Sequence, residues 1–374
     1  MGDSSETPPA GATGARCFNS ESRADPAIFR PFRVASGCLL AVLLFPAIAI
    51  PEEIGVWTPI GPRAATVFAL ERDPLNSGVL YAGMYLGGLY RSQDHGLTWK
   101  PLPSDFSTST ILGVAIDPVT AGTLYAATYD RGIYKSVDSG TTWTALPVPN
   151  TTPVQAIAID PRNHLTILAA THAEVLRSAD GGQNWASSTG AGQGAITMLF
   201  DPETPGLAYL GTSGRGAFVS RDSGLSWAPF RDGLAPEHVI KLDLDPATPG
   251  AVLASTGEGL FRTRPDGSGW ESLTYDLPVQ AVGQTLRHPT TGTLFAATDS
   301  GVFRLDPDAP THWIQWTTRG ARHLLIDPAG TFIHVASILG SLSVTRDDGR
   351  SFQHADFGIQ NRFIESLVTI NAFG

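Results

Sequence analysis

Four segments of the chain repeat one eight-residue frame at nearly constant spacing. They read SQDHGLTW over 92–99, SVDSGTTW over 136–143, SADGGQNW over 178–185 and SRDSGLSW over 220–227. A fifth copy, TRDDGRSF over 345–352, ends in Phe, and two degenerate copies end at Trp270 and Trp313. From Trp57 onward the steps between these aromatics are 42, 44, 42, 42, 43, 43 and 39 residues. A fixed period of this length is the mark of a repeat architecture, in which each unit buries its apolar face only against its neighbours.

Within each period the order of elements is readable. About 20 residues before the frame lies an apolar stretch ending in Asp-Pro, as at Asp117-Pro118, Asp160-Pro161 and Asp327-Pro328. Asp-Pro starts a turn, so the stretch before it is a buried strand that ends there. Two further short runs follow, such as 123–128 and 132–136, then the eight-residue frame, then an outer strand. Four antiparallel strands at this period make one blade of a β-propeller. The expectation is an all-β, seven-bladed β-propeller over 57–374. Spare strands at 57–60 and 363–370 would either complete a shared closing blade or form part of an eighth.

The S-x-D-x-G-x-[TSN]-W frame resembles the Asp-box, or BNR, repeat of sialidases, sortilin-type receptors, xyloglucan hydrolases and photosystem II assembly factors. The resemblance covers 57 to about 360 and speaks to fold far more than to function. The frame's own chemistry is structural. Asp94, Asp138, Asp180, Asp222 and Asp347 are placed to accept N–H groups of their own loops, and the Gly supplies positive φ. Trp99, Trp143, Trp185, Trp227 and Phe352 are placed to pack on neighbouring sheets. Removing such a carboxylate, as in Asp138→Ala, is expected to destabilise the fold.

Connectivity puts Asp-Pro turns and boxes on one face and the remaining loops on the other. The variable loops are the natural ligand face. Those between the second and third strands offer Tyr85, Tyr129, Asp130, Arg131, His172, Glu174, Arg215, Glu258 and Asp299. Those between blades add Phe106, Phe230, Arg231, His238, Arg319 and Arg322. Aromatics, arginines and carboxylates together suit a protein or carbohydrate partner. A carboxylate pair drawn from Asp130, Glu174, Glu258 and Asp299 would be required for glycoside hydrolysis, at a separation of roughly 5–9.5 Å.

Several features weigh against the enzymatic relatives. The resemblance to sialidases implies an F/Y-R-I-P motif and a late nucleophilic tyrosine. The nearest match is Phe29-Arg30-Pro31, and no tyrosine follows Tyr275. Xyloglucan hydrolases resemble two tandem propellers, and 374 residues hold one. No cofactor motif and no metal-ligand spacing is present, and Asp243-x-Asp245 ends on a repeat's Asp-Pro position. The reading is a non-catalytic binding or assembly module. With a net charge of −10 and lysine nearly absent, the composition does not suit a phosphate-backbone binder.

Ahead of the repeats, 1–33 is rich in Gly, Pro, Ser and charge and reads as a disordered leader. Arg30 and Arg33 precede an apolar run over 34–50 that exits through Ala47-Ile48-Ala49. This pattern fits a signal peptide cleaved after Ala49, or a short uncleaved membrane anchor. Either places the repeats outside the cytoplasm. Cys17 and Cys38 are the only cysteines, so the repeats carry neither a disulfide nor a thiolate.

Overall fold

The computed structural model describes residues 67–149, 153–234, 237–278, 281–318, 320–337 and 342–355. The leader, the apolar run over 34–50, the spare strands at 57–60 and 363–370, and Arg319 lie outside them, as does the side chain of Arg322. The described residues form seven four-stranded antiparallel sheets, each built from one repeat in the order A-B-C-D. Blade 1 is typical, with strands Val67–Arg72, Leu80–Met84, Leu89–Ser92 and Lys100–Pro101. The A strands of blades 2 to 7 are Ile111–Ile116, Val154–Ile159, Ala195–Phe200, Val239–Leu244, Val282–Arg287 and Ala321–Ile326.

Strand B is buried along its whole length in every blade. Its sequence explains this: runs such as Leu-Tyr-Ala-Ala-Thr over 124–128 are apolar on both faces, as a sheet covered on both sides requires. Strand D is two exposed residues in blades 1 to 4. Short, exposed outer strands limit edge-to-edge pairing with other chains.

The core is a ring of seven interfaces. Each apolar cluster draws on two successive blades, as where Leu124 and Ala126 meet Ala69 and Phe106. The last cluster joins Leu325, Ala336 and Val344 of blade 7 to Leu70, Leu80 and Trp99 of blade 1, and so closes the ring. Polar contacts reinforce that seam. The Trp99 indole donates to the Ala355 carbonyl at 3.0 Å, and His334 Nε2 donates to the His95 carbonyl at 2.8 Å.

His334 takes a position that tyrosine fills elsewhere. Tyr81 and Tyr125 stand at the same point of strand B and donate to the box carbonyls of Ser139 and Gly181 in the next blade. At the closing seam the imidazole makes that bond. Burial, with the nearby Arg72 charge, lowers the His334 pKa to about 4, so the ring is neutral at physiological pH.

Candidate functional site

The box geometry repeats almost without variation. In blade 2, Ser136 Oγ donates to Asp138 Oδ1 at 2.8 Å and accepts the Gly140 N–H at 2.9 Å. Asp138 accepts the Thr142 N–H at 2.8 Å and the Thr142 hydroxyl at 2.7 Å. The Trp143 indole closes the loop on the Gly140 carbonyl at 3.0 Å. Blades 1, 3, 4 and 7 repeat the Ser/Thr–Asp–Gly set around Asp94, Asp180, Asp222 and Asp347. Hydrogen bonds to the ionised form hold Asp138, Asp180 and Asp347 down at a pKa of about 2.

One expectation about this clasp changes. The N–H groups held by Asp138 are at the surface, whereas the buried donor is Gly140 N–H, held by Ser136, itself 2% exposed. The hydroxyl therefore guards the costlier group. Gly140 has φ +89°, and a Cβ there would lie 2.4 Å from Leu102 Cδ1 of the preceding blade. The glycine is thus fixed by backbone conformation and blade contact alike.

The Asp-Pro turns are closed as expected. Asp117 Oδ1 accepts the Val119 and Thr120 N–H groups at 2.8 and 2.9 Å, and Asp201 does the same with Glu203 and Thr204. In blade 6, His288 stands in for the aspartate, with Nδ1 accepting from Thr290 and Thr291 N–H. Asp245 has a second role: its fully buried carboxylate is gripped by Arg287 through Nε at 2.6 Å and Nη2 at 3.0 Å.

On the opposite face the B–C turns are tight and self-contained. The threonine ending strand B donates to the carbonyl across the turn, as Thr128 does to Gly132, Thr171 to Glu174, Thr256 to Gly259 and Thr298 to Gly301. Tyr85 and Tyr129 project from these turns at 48% and 56% exposure. Arg131 lies 3.7 Å from Asp130 and donates to the Asp105 carbonyl, and Arg215 donates to Ala191 while covering the Phe218 ring. His172, Glu258 and Asp299 are exposed and Glu174 is half-buried, on blades 3, 5, 6 and 3 respectively. Among the described residues, only Asp130 and Arg131 of this set pair with each other. Of the inter-blade loop residues, Phe106 is wholly buried against Tyr134 and Trp143, and Phe230 packs on Tyr209 and Trp270. Both belong to the core rather than to a ligand face, whereas Arg231 and His238 are exposed.

The A strands enclose a central channel with a cavity of about 490 Å³. Its wall is mainly aliphatic and reaches the Asp-Pro face at Pro74, Pro118, Pro161 and Pro202. Every A strand carries a bulge between its first and third residues, so the second residue is unpaired in the ladder. Into this wall are set Glu71, Lys241, Asp243 and His323. Burial raises the Glu71 pKa, with Lys241 opposing and Asp243 adding to the rise. Burial likewise raises Asp243 to about 6, against the pull of Lys241.

Of this polar set the sequence marks only Asp243, through Asp243-x-Asp245, whereas Glu71, Lys241 and His323 lie in largely apolar runs. A signal exists: two residues before the Asp-Pro aspartate, five repeats hold Ala115, Ala158, Leu199, Leu286 or Leu325 (counting His288 as that aspartate), whereas two hold Glu71 and Asp243.

Comparison with known proteins supports the architecture. The model of the Sortilin-Vps10 family (sortilin, neurotensin receptor 3) matches residues 87–173, less than a quarter of the chain. No curated relative matches by sequence. Among solved structures, the GH74 xyloglucanase of Xanthomonas campestris is similar at TM-score 0.64 and 20% identity, over 81% of this chain and 55% of its own. YCF48 bound to D1 peptide is similar at 0.57 and 16%, over 73% and 89%. The extracellular domain of a hybrid two-component system from B. thetaiotaomicron is similar at 0.58 and 16%, over 75% and 40%. The chain thus spans about half the length of the GH74 enzymes it matches. At these identities the likeness is one of fold. Seven single-repeat sheets, five of them with an intact box, make the chain a seven-bladed β-propeller, and these neighbours share that fold.

Proposed function

We propose that this propeller is an exported, non-catalytic module that docks a protein or glycan partner on its B–C turn face. The observation that carries the reading is the distribution of that face's functional groups. Tyr85, Tyr129, Arg131, His172, Arg215, Glu258 and Asp299 are exposed from six successive blades, on turns braced by their own threonines or arginine contacts. Such a rigid rim suits a broad contact, with exposed aromatics and arginines as anchors. Its carboxylates are dispersed rather than gathered around one bond.

Two further facts support it. The fold covers most of YCF48, a structure bound to a peptide, but about half of the GH74 enzymes. The apolar run over 34–50, with its basic flank and Ala-x-Ala exit, supports export by a signal peptide or a short anchor.

The test pairs two assays on the purified protein. Xyloglucan and sialyllactose should be left intact, and an immobilised peptide array should retain the protein through contacts that a Tyr85→Ala/Tyr129→Ala/Arg131→Ala triple variant loses. Turnover of either glycan, abolished by Glu174→Gln or Glu258→Gln, would overturn the proposal. Retention unchanged in the triple variant would remove the rim from it.

A further inference from the structure

We propose that the central channel is a second, separate binding site, for an aliphatic ammonium group. The recognising atoms are carboxylate oxygens in the channel wall. Glu71 and Asp243 occupy the same register position on the A strands of blades 1 and 5, three blades apart around the ring of seven. Both line the cavity, at 4% and 9% exposure. Among the described residues, Glu71 Oε2 and Asp243 Oδ2 have no hydrogen-bond partner.

Unpaired buried carboxylate oxygens are costly, and nothing in the fold demands them. The other blades fill the position with Ala or Leu, and apolar replacements of buried charges are often neutral or stabilising. Their chemistry selects the ligand. Among the described lining residues, Arg287 is committed to Asp245 and Lys241 balances Asp243, while burial raises Glu71 to about 8 and keeps it protonated at neutral pH. An arriving ammonium is matched when Glu71 gives up that proton to solvent, and an anion finds no such partner. A divalent metal is a poor fit. Lys241 opposes it, and among the described residues no three His, Cys, Asp or Glu side chains gather as a ligand set. An alkylammonium supplies three N–H donors for the two free oxygens, and its chain matches walls formed by residues such as Val114, Ile157 and Leu199. The source is either a free amine or a lysine side chain inserted by a partner.

The experiment is calorimetric titration of the full chain with n-pentylamine, 1-pentanol and pentanoate, and with a short single-lysine peptide before and after acetylation. Pentylamine should bind at least about tenfold more tightly than the alcohol or the acid. Glu71→Gln and Asp243→Asn should each weaken it by about tenfold or more, as expected for loss of a charge-assisted hydrogen bond. Melting curves of these variants, expected at or above wild type, show that they remain folded. If the lysine peptide binds and its acetylated form does not, the source is a side chain; if only the free amine binds, the source is a small molecule. Equal binding of pentylamine and pentanol, no binding of pentylamine, or wild-type affinity in Glu71→Gln and Asp243→Asn would each overturn the proposal. It is independent of the rim, so Arg131→Ala should leave pentylamine affinity unchanged.

Discussion

The box hydroxyl provides the sharpest test of what holds a blade together. In Ser136→Ala the buried Gly140 N–H loses its acceptor at 2.9 Å, the Asp138 N–H its contact at 3.3 Å, and the Asp138 carboxylate a donor at 2.8 Å. The exposed Asp138 groups turn to water at little cost. Gly140 N–H cannot, because the loop packs on Leu102 of blade 1. Orphaning a buried donor costs about 1–3 kcal/mol, and about 2 kcal/mol is expected here. The fold supplies its own control. Blade 7 builds the same clasp with Thr345, whose Oγ1 contacts Asp347 Oδ1 at 2.8 Å and Gly349 N at 2.9 Å. Ser136→Thr should therefore lie within about 0.5 kcal/mol of wild type. Guanidinium unfolding at matched m-values measures both, and amide exchange at Gly140 localises the effect. If Ser136→Ala is as stable as wild type, or Ser136→Thr is as damaging as Ala, the clasp is not what holds the hairpin.

Two further outcomes follow from buried charge. His334 has a folded pKa near 4 against an unfolded value near 6.5, so the unfolded chain binds the proton first. Its contribution is complete above pH 6.5 and is lost as pH falls towards 4, by about 3 kcal/mol at most. His334→Tyr, which copies Tyr81 and Tyr125, should flatten that part of the stability–pH curve, and an unchanged curve would exclude His334 as its source. Arg287→Ala leaves the fully buried Asp245 carboxylate without its bidentate partner, with Arg262 only at 3.9 Å. A loss of about 3–5 kcal/mol is expected in denaturant unfolding, and a loss below about 1 kcal/mol would mean that Arg262 or water takes over.

The sequence by itself determined the blade. Every bond of the box spans two to four residues, as from Ser136 to Asp138 and Asp138 to Thr142, and the Asp-Pro turns are equally local. Interactions so short in sequence leave a direct periodic trace, from which seven blades and the structural role of the box aspartates could be read. The ring itself was decided only in three dimensions. Its closure joins His95 to His334 and Trp99 to Ala355 across nearly the whole repeat array, and no local pattern announces which distant residue will meet which. The same distance hid the channel set. Glu71 and Asp243 are acidic residues in largely apolar strands of two remote repeats, and they acquire a shared meaning only when seven strands are bent around one axis. Phe106 shows the converse. Its loop position marked it as accessible, but the packing of blade 2 against blade 1 buried it, because an aromatic ring beside two others gains more from the core than from solvent.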